Sequence, residues 1–168
     1  VTSTGYNGTT IKNGYIYDFG IGISSTNGYN GNFSNMTVYD NNDFSSNNIF
    51  GIYLTGGQNN SIIDNNVTMI NTNWMSGTEY GIYLSSSSNN TIQDNTANSN
   101  GAHGIYLSSS SNNIIRDNTA NSNSIDYGIG LSSGSNNNQI INNTANSNTY
   151  GIGFVDSNNN QIINNTAN

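Results

Sequence analysis

The chain has 168 residues, with two Lys or Arg against nine Asp or Glu and a net charge of −7. So few cationic side chains cannot neutralise the phosphates of a nucleic acid or anionic lipid headgroups, so both partners are excluded. No apolar run approaches the ~20 residues that span a bilayer, which excludes membrane insertion, and the absence of Cys excludes disulfides and thiolate chemistry.

A repeat of roughly 23 residues runs along the chain and argues against the disorder that its polar composition would otherwise indicate. It is clearest where Gly81-Ile82-Tyr83-Leu84 returns as Gly104-Ile105-Tyr106-Leu107. We predict one domain over residues 1–168, in which the early coils carry insertions and the later ones do not. The predicted coils are 1–19, 20–50, 51–80, 81–103, 104–127, 128–150 and 151–168.

Each coil carries three short apolar stations. In the first, Ile and Leu alternate with Gly and Tyr, the period of a strand with one buried face. The second and third stations follow as two columns: Ile11, Phe33, Ile62, Ile92, Ile115, Ile140 and Ile162, then Ile16, Val38, Val67, Ala97, Ala120, Ala145 and Ala167. Three strands per coil, joined by Ser, Asn and Gly bends, predict an all-β parallel solenoid of about seven rungs with three short parallel sheets.

A column of Asn is predicted at the bend between the second and third strands. Asn tolerates the left-handed conformation of such bends, and its amide can bond to the equivalent residues above and below. The column therefore predicts a structural ladder, formed by Asn65, Asn95, Asn118, Asn143 and Asn165.

Two aromatic columns belong to the first strand. One lies immediately before each Gly and includes a single His, and it is interpreted as packing at a corner. Its members are Phe19, Phe50, Tyr80, His103, Tyr127 and Tyr150. The other consists of outward Tyr53, Tyr83 and Tyr106, which form either a contact strip for a glycan or protein partner or an ordinary strand surface.

The unit from Tyr80 to Ile92 resembles the parallel β-helix repeats of NosD-like carbohydrate-binding and sugar-hydrolase-type proteins, which are frequent on archaeal and bacterial cell surfaces. This resemblance covers essentially the whole chain. It implies a right-handed, pectate-lyase-like parallel β-helix and an extracellular or cell-surface location. It does not choose among the lyases, hydrolases, adhesins and structural proteins that share the scaffold.

The sequence offers little for catalysis. Lyases of the resembling family combine Ca²⁺-binding acids with an Arg or Lys base, but Lys12 and Arg116 fall in different coils. We therefore predict no catalytic residue and no enzymatic activity. We also predict no cofactor: one His and scattered Met give no copper ligand set.

The nearest metal-binding constellation is a column of three carboxylates on successive rungs, Asp64, Asp94 and Asp117. It could hold Ca²⁺ through carboxylate oxygens. Asn13, Asn35, Asn142 and Asn164 occupy the same column, which favours a turn position that accepts either residue. Eight Asn-X-Ser/Thr sequons make the chain a glycoprotein candidate, although the composition gives about as many by chance.

Two functions follow from these features. The chain begins and ends within a coil and has no polar cap, so the leading prediction is an extracellular structural protein whose subunits stack head to tail into a filament. The alternative is a carbohydrate-binding β-helix segment of a larger surface protein or adhesin, with Tyr53, Tyr83 and Tyr106 as its contact residues. The predicted partners are a second copy of the chain or a polysaccharide.

Overall fold

The structure is a computed structural model that describes residues 1–17, 19–39, 49–68 and 79–168. The predicted coils 1–19, 20–50 and 51–80 include residues outside these ranges, as do the side chains of Asn35 and Val38, so their boundaries stay predictions. In the described ranges no helix is long and apolar enough to cross a membrane. The strands there are β1 Thr2–Thr4, β2 Thr10–Tyr17, β3 Ile21–Thr26, β4 Asn32–Tyr39, β5 Ile49–Thr55, β6 Ser61–Ile63, β7 Asn66–Thr68, β8 Glu79–Ser85, β9 Thr91–Gln93, β10 His103–Ser108, β11 Ile114–Arg116, β12 Tyr127–Ser132, β13 Gln139–Ile141, β14 Tyr150–Phe154 and β15 Gln161–Ile163.

Two parallel sheets run along the molecule, and successive coils contribute one strand to each. The first sheet has the order β1-β3-β5-β8-β10-β12-β14, and the second has the order β15-β13-β11-β9-β6-β4-β2. Ile82 pairs with Ile105 and Ile105 with Ile129, so identical positions of these repeats lie directly above one another. In the second coil the prediction that Phe19 shares a column with Phe50 is wrong, because the strand is shifted by two residues and Ile21 pairs with Phe50. This all-β parallel solenoid confirms the predicted fold class.

The third side of the coil is shorter than the two sheets. β7 pairs with β4, and beyond it each rung contributes a single parallel bridge, through Thr96, Thr119, Thr144 and Thr166. Residues with positive φ stand on both sides of this segment, such as Asp94 at 54° and Ser99 at 55°. Two sharp bends so close together leave too few residues for a longer strand.

The interior is filled by the inward columns of all three sides. On the first sheet the inward Ile column is fully buried from Ile23 to Ile129, and the inward Leu column is buried from Leu54 to Leu131. On the second sheet Ile92, Ile115 and Ile140 are fully buried. On the third side the column changes from Val67 to Ala97. Smaller side chains suit this side because buried Asn amides share the interior with them.

The predicted Asn column forms a continuous hydrogen-bonded ladder. The Oδ1 of Asn118 accepts hydrogen bonds from the backbone N and the Nδ2 of Asn95, at 2.9 and 3.0 Å. The Nδ2 of Asn118 donates to the Oδ1 of Asn143 and to the carbonyl of Ile92, at 3.0 and 2.9 Å. Every polar atom of this 1% exposed amide therefore has a partner. The left-handed residue of the bend is the one before the ladder, such as Asp117 at φ 57°.

Two further Asn ladders and a Ser ladder line other bends. Asn90 donates from Nδ2 to Oδ1 of Asn113, and Asn100 does the same to Asn123, each at 3.1 Å. The backbone N of Ser87 donates to the hydroxyl of Ser110 at 3.0 Å. These ladders give the buried backbone groups at the bends partners within the protein, which explains how a chain so poor in apolar residues builds a dry interior.

Candidate functional site: an aromatic surface on the first sheet

A glycine near the start of each first-sheet strand from β5 to β14 brings the two aromatic columns together. A Cβ on Gly104 would lie 2.7 Å from both the Nδ2 of Asn123 and the carbonyl oxygen of Gly128, so this position faces the interior. The next residue, Ile105, is also fully buried. Two consecutive inward residues interrupt the period of two, and His103 and Tyr106 therefore both lie on the outer surface of the strand.

The merged columns form one continuous stack of rings. Within single rungs the ring centroids are 4.6 Å apart for Phe50 and Tyr53, 4.7 Å for Tyr80 and Tyr83, and 4.5 Å for His103 and Tyr106. Between rungs, Tyr53 and Tyr83 stack at 5.3 Å with 12° between their planes, and Tyr83 and Tyr106 lie at 6.0 Å and 43°. We define the aromatic surface as these rings together with the two that continue the stack, Tyr127 and Tyr150.

The stack continues where the outward Tyr column ends. Gly130 and Gly153 replace Tyr in the last two strands of the first sheet. A Cβ on Gly130 would lie 2.7 Å from the Tyr106 ring and 2.9 Å from the Tyr127 ring. The glycines thus provide the space into which the neighbouring rings lean.

Solvent reaches the edges of these rings rather than their faces. Phe50 and His103 are buried, at 7% and 3% exposure, whereas Tyr53, Tyr80, Tyr83, Tyr106 and Tyr127 are half-buried. Because the faces are covered by neighbouring rings, the hydroxyl-bearing edges make up most of the accessible area. Within the described ranges, no hydrogen bond joins the hydroxyls of these five Tyr to another protein atom. The aromatic surface therefore presents a row of phenol groups that can bond to a ligand.

One cluster of titratable groups adjoins this row. The Nε2 of His103 lies 3.7 Å from the Oδ2 of Asp126, and its Nδ1 accepts a hydrogen bond of 3.4 Å from the backbone N of Tyr127. Burial raises the pKa of Tyr80, and Tyr83, Tyr106, Asp126 and Glu79 raise it further. Burial also raises the pKa of Tyr127, with Asp126 adding to the effect. Both phenols are therefore protonated at neutral pH and available as hydrogen-bond donors.

Asp126 is held in a partly dry site. Burial raises its pKa above the ordinary 3.8, which outweighs the contact with His103 because 3.7 Å is too long for a hydrogen bond. A carboxyl whose pKa is higher in the folded than in the unfolded state lowers the free energy of unfolding. This loss develops as the pH rises from the unfolded-state pKa to the folded-state pKa.

Replacing Asp126 by Asn is expected to raise the melting temperature slightly at neutral pH, with no gain below the unfolded-state pKa. Thermal unfolding across this pH range tests the prediction. Asp64→Asn, on an exposed turn where other rungs carry Asn, serves as the control and should change nothing. A stabilisation by Asp126→Asn that is as large in acid as at neutral pH would contradict the argument.

The acidic column lies away from the aromatic surface, at the bends that follow the second sheet. Asp64, Asp94 and Asp117 have φ of 54°, 54° and 57°, and Asn142 and Asn164 have the same left-handed conformation. The Oδ2 of Asp94 accepts a 2.7 Å hydrogen bond from Gln93. Among the described residues, no three His, Asp or Glu side chains are grouped as a metal site would require. The interpretation of this column as a turn position, with calcium binding as the alternative, stays a prediction.

The fold of the chain is similar to that of several solved polysaccharide epimerases. The chain superimposes on a mutant of the periplasmic alginate epimerase AlgG with a TM-score of 0.78 and 15% identity over 99% of its length. It also resembles the A-modules of the mannuronan C-5 epimerases AlgE6 and AlgE4 of Azotobacter vinelandii. Their TM-scores are 0.56 and 0.53, with 16% and 15% identity over 96% of this chain. The chain spans about half of each, 47%, 54% and 56%, respectively.

The prediction that the chain is not an enzyme is wrong as an inference from this sequence, because all three of these structures are carbohydrate-active enzymes with the same fold. Convergence of Lys12 and Arg116 is a requirement taken from lyases, and a site on this fold can use other residues. The corner glycine places His103 beside Tyr106 on the surface, and Asp126 lies 3.7 Å from His103. The spacing of the two aromatic columns around each Gly is the sequence signal for the stacked rings, whereas nothing in the repeat indicates Asp126.

No curated protein matches the chain, but a comparison of its sequence with protein families agrees with the structural comparison. A family model described as a right-handed β-helix region matches residues 1–167, nearly the whole sequence. This match confirms the handedness that the repeat from Tyr80 to Ile92 implied. The chain therefore belongs to the right-handed β-helix family.

Proposed function

We propose that the chain is a polysaccharide-binding β-helix whose contact region is the aromatic surface. One observation carries the proposal: five half-buried Tyr lie in a single stack, and within the described ranges their hydroxyls bond to no protein atom. A row of phenol edges whose hydroxyls bond to no protein atom is well suited to a ligand that offers many hydroxyl groups, as sugars do.

The repetition of the surface favours a polymer over a single sugar. Tyr53, Tyr83 and Tyr106 present equivalent groups on successive rungs, with ring centroids 5.3 and 6.0 Å apart. A chain of repeated units can engage several of these groups at once, which adds affinity without requiring any one strong contact. The polysaccharides named for the structurally similar epimerases support the same class of ligand.

An extracellular or cell-surface location fits this role and is part of the proposal, supported by the periplasmic source named for one similar structure. Head-to-tail assembly into a filament stays a prediction from the sequence. Electron microscopy of the purified chain tests it, because filaments are expected and uniformly monodisperse particles would contradict it.

The contact residues are tested by replacing Tyr53, Tyr83 and Tyr106 together with Phe. The rings and their stacking are retained, while three hydroxyls are removed. If each hydroxyl donates or accepts one hydrogen bond with the glycan, affinity should fall ~10-fold or more. Retardation in gels that contain soluble polysaccharides measures this change across a panel of glycans.

The matched control replaces Tyr6 and Tyr15 with Phe, since both are exposed, at 72% and 76%, and lie outside the aromatic surface. This variant should be retarded like the wild type. Equal retardation of the triple variant and the wild type would refute the assignment of the contact residues. NMR spectra of each retained glycan after incubation would show in the same experiment whether it is chemically modified.

A further inference from the structure

The charge around the aromatic surface narrows the class of ligand, provided that this surface binds polysaccharide as proposed. From the position of every Lys and Arg and of the acids beside the stack, we infer that the chain takes uncharged polysaccharides. Uronate polymers such as alginate, which the similar epimerases are named for, are expected to be rejected. The inference rests on three features of the chain.

The first feature is the location of the cations. The whole sequence contains only two Lys or Arg side chains, Lys12 and Arg116, and these lie on β2 and β11 of the second sheet. The Nη1 of Arg116 already lies 3.8 Å from the Oδ2 of Asp117, and its Nη2 donates a hydrogen bond to the Oε1 of Gln93. The aromatic surface belongs to the first sheet, so no Lys or Arg of that sheet can pair with a ligand carboxylate.

The second feature is the charge that does adjoin the aromatic surface. Asp126 approaches His103 within 3.7 Å, and Glu79 directly precedes Tyr80. The pKa of Tyr80 is raised by burial and further by its neighbours, including both Asp126 and Glu79. A uronate laid along the surface would bring like charges together where the polymer passes these two carboxylates.

The third feature is the protonation of the phenols. A phenol at its ordinary pKa is already uncharged at neutral pH, and burial raises the pKa of Tyr80 and Tyr127 further, so their hydroxyls both donate and accept hydrogen bonds. Sugar hydroxyls have the same dual capacity, so an uncharged glycan can match them without leaving an unpaired charge. A carboxylate would gain hydrogen bonds here but no counter-charge, and the net charge of −7 would add to its repulsion.

The experiment compares alginate with carboxyl-reduced alginate, which has the same linkages but a neutral CH₂OH in place of each carboxylate. A panel of other uncharged glycans is included, and each polymer is run at low and high salt. We expect retention on one or more uncharged polymers and at least ~10-fold weaker binding to alginate at low salt. Parallel runs with Ca²⁺ and with a chelator determine whether a bridging cation changes the result.

A gain-of-function variant tests whether charge is the cause. Ser85 and Ser108 stand two residues after Tyr83 and Tyr106 in the same strands, are half-buried, and use no side-chain hydrogen bond within the described ranges. Ser85→Lys with Ser108→Lys should allow binding to alginate at low salt, and high salt should abolish it. Ser85→Gln with Ser108→Gln is the uncharged control.

The possible outcomes separate this inference from the function on which it rests. Binding of the wild type to alginate as tightly as to uncharged glycans, with or without Ca²⁺, would overturn the inference and leave polysaccharide binding intact. Loss of all retention across the panel would overturn the proposed function itself. Failure of the double Lys variant to gain alginate binding, while it still binds uncharged glycans, would also count against the electrostatic explanation.

Discussion

We expect Asn118→Asp to destabilise the fold by roughly 3–5 kcal/mol at neutral pH. The side chain is 1% exposed, and its Nδ2 donates to the carbonyl of Ile92 and the Oδ1 of Asn143. A carboxylate would lose both donors and place a negative charge against two oxygens in a dry interior. Urea unfolding monitored by far-UV circular dichroism measures the loss.

The pH dependence of this variant identifies the buried charge as the cause. Burial would hold the pKa of the introduced carboxyl above its unfolded value, so the penalty relative to the wild type should shrink as acid protonates it. Asn112→Asp in the same coil is the control, because Asn112 is exposed, has a φ of 59°, and makes no side-chain hydrogen bond within the described ranges. Equal destabilisation by the two variants would contradict the ladder's role.

Gly104→Ala is expected to cost about 3 kcal/mol, near the upper end for overpacking. The added methyl carbon would lie 2.7 Å from the backbone oxygen of Gly128 and 2.9 Å from the Cβ of Ala120, and neither atom can move far without shifting a neighbouring rung. Because Gly104 lies between His103 and Tyr106 on β10, near-UV circular dichroism should also report a disturbed aromatic stack.

Ser108→Ala serves as the control for this prediction, since Ser108 lies on the same strand with a half-buried outward side chain. It should leave both stability and the near-UV spectrum within the error of the wild type. If Gly104→Ala unfolds at the same urea concentration as the wild type, the corner does not require glycine, and the argument for the merged columns fails.

The fold was predictable from the sequence because each inward column repeats the same residue type at the same spacing. The pairing of Ile82 with Ile105 is the register that the Gly-Ile-Tyr-Leu repeats require. The ladder containing Asn118 was visible for the same reason. The ladder of Asn90 and Asn113 has equally regular spacing but was not predicted. Each of these bends contains several consecutive polar residues, and the composition does not reveal which of them points inward.

The aromatic surface was only half predictable. Strict alternation separates residues three apart, such as Tyr80 and Tyr83, onto opposite faces of a strand. The glycine between them breaks that alternation, so the two rings stack at 4.7 Å on one face. The approach of Asp126 to His103 depends on how a loop follows the preceding coil, and no periodicity encodes it. These are the features on which function depends most.

The central claim, that the aromatic surface is where polysaccharide binds, is tested most directly by NMR on the protein with ¹³C-labelled Tyr rings during titration with an uncharged glycan. The assigned ring signals of Tyr53, Tyr83 and Tyr106, together with Tyr80 and Tyr127, are predicted to shift progressively with glycan concentration. Shifts confined to Tyr6, Tyr15 and Tyr29, which lie outside the stack, would contradict the claim.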